Sequence, residues 1–306
     1  MLSRLIRREF TLEELVYGLG VVKLGMSFSV VRKISDFIDV VRNLGIYRHH
    51  REKADLLLSR YPQMRGTISR ELGCGRLKEA LIPGFEEMMA TARTLVSKKQ
   101  AGVKIPADEP YIDLIDDLDL VENPIFFNVA TSPELVAAVT DYLGIMPQLR
   151  NISILFSRPG DGLFSSKQFH LDKLDCGMVG LWVNVIDTSS ENGPFTFVLA
   201  HTSQRVCRRY GYERQTFVGH TRISDEEMED VVSPDEVIPV QGSVQGNTWL
   251  VDTSRCFHMG GRCAKGIRAT LHIRYCLPHK IDSTYLYRLA PCDHGQPLAK
   301  DLLLRG

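Results

Sequence analysis

The spacing of apolar residues along this chain changes character near residue 150. Before that point they recur at helical intervals: Ser35 is followed by Ile38, Val41 and Leu44 on one stripe, with Gly45 placed to end the helix. Upstream, Thr11-Leu12-Glu13-Glu14 has capping-box spacing. TSPELVAAVTDYLG carries the fullest helix signal, with Ser132 as N-cap, Pro133 at the first helical position, an apolar face of Leu135, Val136, Val139 and Leu143, and Gly144 as the stop. Beyond it, ISILF, MVGLWVNVI, PFTFVLA, TWLV and IRATLHIRYC are short apolar runs, cut by turn stretches such as RPGDG and TSSENG. Helices first and strands afterwards predict an α+β chain in which a helical layer packs on an antiparallel barrel or sandwich.

The last of those runs separates two faces. Ile267, Ala269, Leu271, Ile273 and Tyr275 share one, predicted to pack under the helical layer. Arg268, Thr270, His272 and Arg274 share the other, predicted to look into the barrel.

Composition narrows the possible functions. With 306 residues, 44% apolar and 24% charged, the chain can bury a sizeable core as one large domain or two ordinary ones. Its 37 basic residues balance 37 acidic ones, so no overall field favours nucleic acid or an anionic membrane, and a small-molecule partner is expected. Seven Cys without a C-x-x-C pair suggest neither a disulfide framework nor a zinc ribbon, and fit a reducing cytoplasm. MLSRLIRREFTLEEL lacks an apolar core with a cleavage site, and Lys23 breaks LVYGLGVVKLGMSFSVV, so neither a signal peptide nor a membrane span is expected.

Several signatures of chemistry fail. Gly18-Leu19-Gly20 lacks the third Gly of a dinucleotide loop, Gly261 to Gly266 is followed by Ile and Arg instead of Lys and Ser or Thr, and no G-x-S-x-G elbow occurs. The acidic DLIDDLDLVEN lacks the Gly and closing Glu of a calcium loop and reads as a solvated surface segment. His50-Arg51-Glu52, within YRHHREKADLLLSRY, reads as a solvated helix face whose His and Glu point apart.

His170-Leu171-Asp172, in SSKQFHLDKLDCG, is different. Residues two apart on an extended chain project to the same face, so both can reach one ion. A facial site of two imidazoles and one carboxylate suits non-heme iron(II) with oxygen and needs a second His. His258, between the strand-like NTWLVDTSRCF and the turn Met259-Gly260-Gly261, is the first candidate; His201, in an expected turn, and His272 are the alternatives. Arg268 follows His258 by ten residues, and with the Thr270 hydroxyl on its face it offers what the far end of a dicarboxylate cosubstrate requires.

These four residues resemble the ligand set of the iron(II)/2-oxoglutarate dioxygenases. SRPGDGLFSSKQFHLD and LWVNVIDTSSENGPFTFVLAHTSQR look like the phytanoyl-CoA dioxygenase branch, and the likeness runs from residue 120 to residue 278. It implies one oxygenase domain over 1–306, with a mainly helical part at 1–149, a double-stranded β-helix (jelly-roll) core at 150–278 and a tail at 279–306. It further implies iron on His170, Asp172 and His258, the 2-oxoglutarate C5 carboxylate on Arg268 and Thr270, and Trp182 lining the same pocket. The implied reaction consumes O2, releases succinate and CO2, and hydroxylates a C–H bond of a small organic or lipid-like metabolite. Related halogenases carry Gly or Ala in place of the carboxylate, so Asp172 favours hydroxylation, with desaturation and ring closure as the alternatives. One departure is Ala200-His201-Thr202, where the family commonly has Gly-Ser-His or Gly-Thr-His. Two other readings are a jelly-roll binding module without turnover, opposed by the complete set, and a cupin-like metal enzyme without 2-oxoglutarate, opposed by Arg268. Arg205, Arg208, Arg209 and Arg214 read as a solvated or subunit-contact surface.

Overall fold

The computed structural model describes residues 43–160, 162–172, 177–212, 222–242 and 247–278, with single positions at 34, 37, 38, 40, 41, 286 and 289. The spacing at Thr11 to Glu14, Ser35 and Arg214 lie outside the described residues.

Helices dominate the first half: α1 Leu44–Arg60, α2 Phe85–Lys99, α3 Asp117–Glu122, α4 Ile125–Ala130 and α5 Pro133–Leu143. Two short strands intervene, β1 Cys74–Arg76 and β2 Ile112–Asp113. α5 runs as its pattern predicts, from Ser132 to a left-handed Gly144 at φ +74°, with Leu135, Val136 and Val139 fully buried. Gly45 does not end a helix. It is the second residue of α1 and lacks the positive φ that makes Gly a stop signal.

The second half carries β3 Gln148–Ser157, β4 Met178–Asn184, β5 Thr196–Val198, helix α6 Ala200–Tyr210, helix α7 Asp225–Glu229, β6 Val237–Pro239, β7 Trp249–Asp252, β8 His258–Met259 and β9 Arg268–Cys276. One sheet has the order β1-β7-β4-β9-β3-β2 and the other β6-β5-β8, with every strand pair antiparallel. From β4 to β9 the chain visits the larger sheet, the smaller, the larger, the smaller and the larger again, the alternation of a jelly roll.

β9 divides its faces as its sequence predicts. Ala269, Leu271, Ile273 and Tyr275 join one apolar core with Met88 and Ala92 of α2, Phe126 and Phe127 of α4, and Leu135 and Val139 of α5. The Tyr275 hydroxyl, fully buried, donates to the Ala130 carbonyl at 2.6 Å and ties the sheet to the end of α4. The other face turns Arg268, Thr270 and His272 inward.

Three local expectations are overturned. His50 is buried, with Nδ1 2.8 Å from the Met146 carbonyl, because α1 packs where the chain leaves α5; Arg51 and Glu52 are exposed. The acidic stretch is amphipathic, not wholly solvated: Leu114, Ile115 and Leu120 enter the core, and buried Asp119 completes a capping box with Asp116 while Lys99 pairs with both carboxylates. Ala200-His201-Thr202 is the first turn of α6, with Thr202 donating to Glu236 at 2.8 Å and His201 exposed. Along that helix Arg205 pairs with Glu236 and Arg209 with Asp230, and Arg208 is exposed, so these three lie on the surface. Among the described residues no helix is long and apolar enough to cross a membrane.

Tyr275→Phe leaves a buried carbonyl without that donor. It should lower the unfolding free energy by about 1–3 kcal/mol in urea denaturation, with the m-value unchanged.

Candidate functional site

His170 sits opposite His258 in an isolated antiparallel bridge, each backbone N–H donating to the other's carbonyl at 3.0 Å. That pairing brings the imidazoles to a centroid separation of 4.2 Å. Two residues on, the Asp172 N–H donates to the Thr253 carbonyl at 2.9 Å and holds the carboxylate on the same side. His170 Nδ1 lies 2.9 Å from the Gln168 carbonyl and His258 Nδ1 3.1 Å from that of Cys256. Both rings therefore carry their proton on Nδ1 and turn a lone pair on Nε2 to the interior. His258 Nε2 is 3.8 Å from Asp172 Oδ2, and one donor atom from each of the three residues lies within 4.8 Å of the others.

Their electrostatics keep these donors ready. Burial, then the neighbouring His258, draws His170 from its ordinary 6.5 to about 3. Burial likewise lowers His258. For Asp172, burial opposes ionisation, but His258, Arg274 and His170 outweigh it and hold the carboxyl at about 2. Asp172 Oδ2 is buried without a hydrogen-bond partner. Two neutral imidazoles and an unsatisfied carboxylate oxygen fit a divalent cation with open positions. Among the described residues this is the one such cluster.

A cavity of about 380 Å³, its mouth included, opens on all three side chains and on Trp182 and Arg268. Arg268 is 1% exposed. Its Nε donates to Thr270 Oγ1 at 3.1 Å, and among the described residues its Nη1 has no partner and no carboxylate pairs with it. Burial pulls its pKa down to about 10, which leaves it a cation at neutral pH. Thr270 thus serves Arg268 by aiming the guanidinium. Trp182 is clamped between Phe195 at 3.7 Å and His272 at 3.9 Å, both stacked. Of the alternative histidines, His201 is exposed on α6 and His272 stands apart from the donor cluster.

The structure adds residues to those singled out in the sequence. Tyr111, Ser166, Phe195 and Gly260 also line the cavity, beside Arg274, which the alternation along β9 turns inward. Arg274 and Phe195 carry a legible signal, the first by its face on β9 and the second by alternation with Phe197. Tyr111 carries none, because the pairing of Ile112 with Phe156 that brings it there joins segments far apart in sequence.

No family model and no curated protein matches the chain. Solved structures do resemble it. The epimerase SnoN in complex with Fe3+, alpha ketoglutarate and nogalamycin RO is 17% identical, over 80% of this chain and 93% of that one, with a TM-score of 0.42. HygX from Streptomyces hygroscopicus, with nickel and 2-oxoglutarate bound, is 15% identical over 68% and 84%, with a TM-score of 0.44. EctD from S. alaskensis, with 2-oxoglutarate and 5-hydroxyectoine, is 12% identical over 72% and 76%, with a TM-score of 0.44. At such distances a likeness transfers no residue's role from one protein to another.

A pH dependence follows from the buried imidazoles. In the unfolded chain His170 takes a proton below its ordinary 6.5, and in the folded chain only below about 3, so stability is lost as pH falls through that window. Between pH 7 and pH 5 the metal-free protein should lose about 2 kcal/mol through this residue. Urea denaturation of His170→Gln at the two pH values should recover that share.

Proposed function

We propose that the protein is an iron(II)- and 2-oxoglutarate-dependent oxygenase that hydroxylates a C–H bond of a small organic molecule. The observation that carries this reading is Arg268. Burying a guanidinium without a counter-charge costs several kcal/mol, and a fold retains one where an anion arrives to meet it. The same cavity holds two neutral imidazoles and a carboxylate. A ligand that joins a metal to a remote cation must carry a chelating end and an anionic end, which is the chemistry of a 2-oxo dicarboxylate.

His170, Asp172 and His258 would hold the metal, which with O2 and 2-oxoglutarate supplies the oxidising power that side chains lack. The remaining work belongs to the chain. Arg268 binds the carboxylate remote from the metal, and Thr270 fixes the guanidinium by accepting from its Nε. The carbonyls of Gln168 and Cys256 hold the Nδ1 protons, so neither imidazole turns away from the metal. Leu155, Trp182 and Phe195 form apolar wall that limits water around the reacting centre.

Anaerobic addition of iron(II) and 2-oxoglutarate should produce a visible charge-transfer band. His170→Ala should abolish it, and Arg268→Ala should raise the 2-oxoglutarate dissociation constant by about thirtyfold or more. A wild-type protein that gives no band, and no succinate under air, would refute the proposal.

A further inference from the structure

The cavity contains a second cation, Arg274, whose field lowers Asp172 but for which no ligand has been named. Arg274 shares the inward face of β9 with Arg268, six positions further along, roughly 20 Å on an extended strand. Its Nε is buried without a hydrogen-bond partner. Asp172 and the buried His258 and His272 feel its field, yet among the described residues no carboxylate lies within ion-pair distance of it. A five-carbon dicarboxylate that spans the metal and Arg268 is too short to reach it as well.

Charge decides what such a residue can do. A divalent metal, the Asp172 carboxylate, a dianionic cosubstrate and the Arg268 guanidinium cancel one another. Arg274 is then left over, a single positive charge at the edge of a low-dielectric cavity on the Asp172 side of the metal. We propose that Arg274 is the anchor for the substrate to be oxidised, and that this substrate carries a singly charged anionic group of the carboxylate or sulfonate kind. A guanidinium fork recognises either one with paired hydrogen bonds, which a neutral group cannot supply. The anchor rests on the iron and 2-oxoglutarate reading of the same cavity.

The test uses the full chain loaded anaerobically with iron(II) and 2-oxoglutarate. Acetate is compared with acetamide, and methanesulfonate with dimethyl sulfone, each pair matched in shape and differing in charge. The readout is the shift of the charge-transfer band. The anions should shift it saturably with at least tenfold higher affinity than their neutral partners, and the tighter anion names the headgroup. Arg274→Gln should reduce that preference to less than twofold while the 2-oxoglutarate dissociation constant changes less than twofold. Arg274→Lys, which keeps the charge, should retain part of the preference and shows that loss in the Gln variant is not misfolding. Equal affinity for anion and neutral partner, or no saturable shift, overturns the anchor and leaves the iron reading standing. So does an Arg274→Gln protein that weakens 2-oxoglutarate tenfold, which reassigns the residue to the cosubstrate. Failure of the band to form removes the iron reading and the anchor with it.

Discussion

The reciprocal pair of backbone hydrogen bonds between His170 and His258 is the constraint on which the site depends. It joins segments 88 residues apart in sequence, and it does so through main-chain atoms, so the meeting of the two imidazoles does not rely on the imidazoles themselves. Asp172 inherits its place from the same bridge, being the next residue on that face, and the Thr253 carbonyl prevents the strand from peeling away after it. Loss of register at this one point would scatter all three donors.

The electrostatics of the cavity follow from that geometry. Burial depresses the basicity of both histidines, which suits ligands that must be neutral, while the surrounding positive charges keep Asp172 ionised against the penalty of its burial. Arg268 remains charged for lack of any way to become neutral near pH 7. The result is a chamber poised to receive negative charge, built from groups that individually weaken the fold. The apolar core on the far side of β9, with Tyr275 bonded into α4, supplies the stability that permits it.

Much of this was legible in the sequence where the pattern is local. The alternation from Ile267 to Tyr275 predicts both faces of β9, and α5 carries its start, stripe and stop within a few residues. His170 and Asp172 could be singled out because strand geometry makes a spacing of two meaningful on one face, and Arg268 by its place on the inward face of β9, whereas His258 stood beside His201 and His272 as candidates until the family resemblance implied it. What escaped depends on distant partners. The burial of His50 needs the Met146 carbonyl, and Tyr111 reaches the cavity through a pairing with β3. The acidic run at 113–123 misled because every charge in it has the same sign, yet Leu114, Ile115 and Leu120 fall where the core needs them. Ala200 opens a helix where a turn was expected, since Leu199 takes the extended N-cap conformation and the hydroxyl of Thr202 finds Glu236.

Gly260 gives the barrel an inexpensive means of changing diet. A methyl group there would stand 3.0 Å from Arg268 Nη2 and 3.1 Å from Nη1, so the bare backbone is what leaves the guanidinium its berth. Any side chain at this position would press on the guanidinium while leaving His170, Asp172 and His258 where they stand. Under the proposed reading, a single codon two places beyond His258 would separate a barrel that keeps its dicarboxylate from one that loses it, with the three donors unmoved.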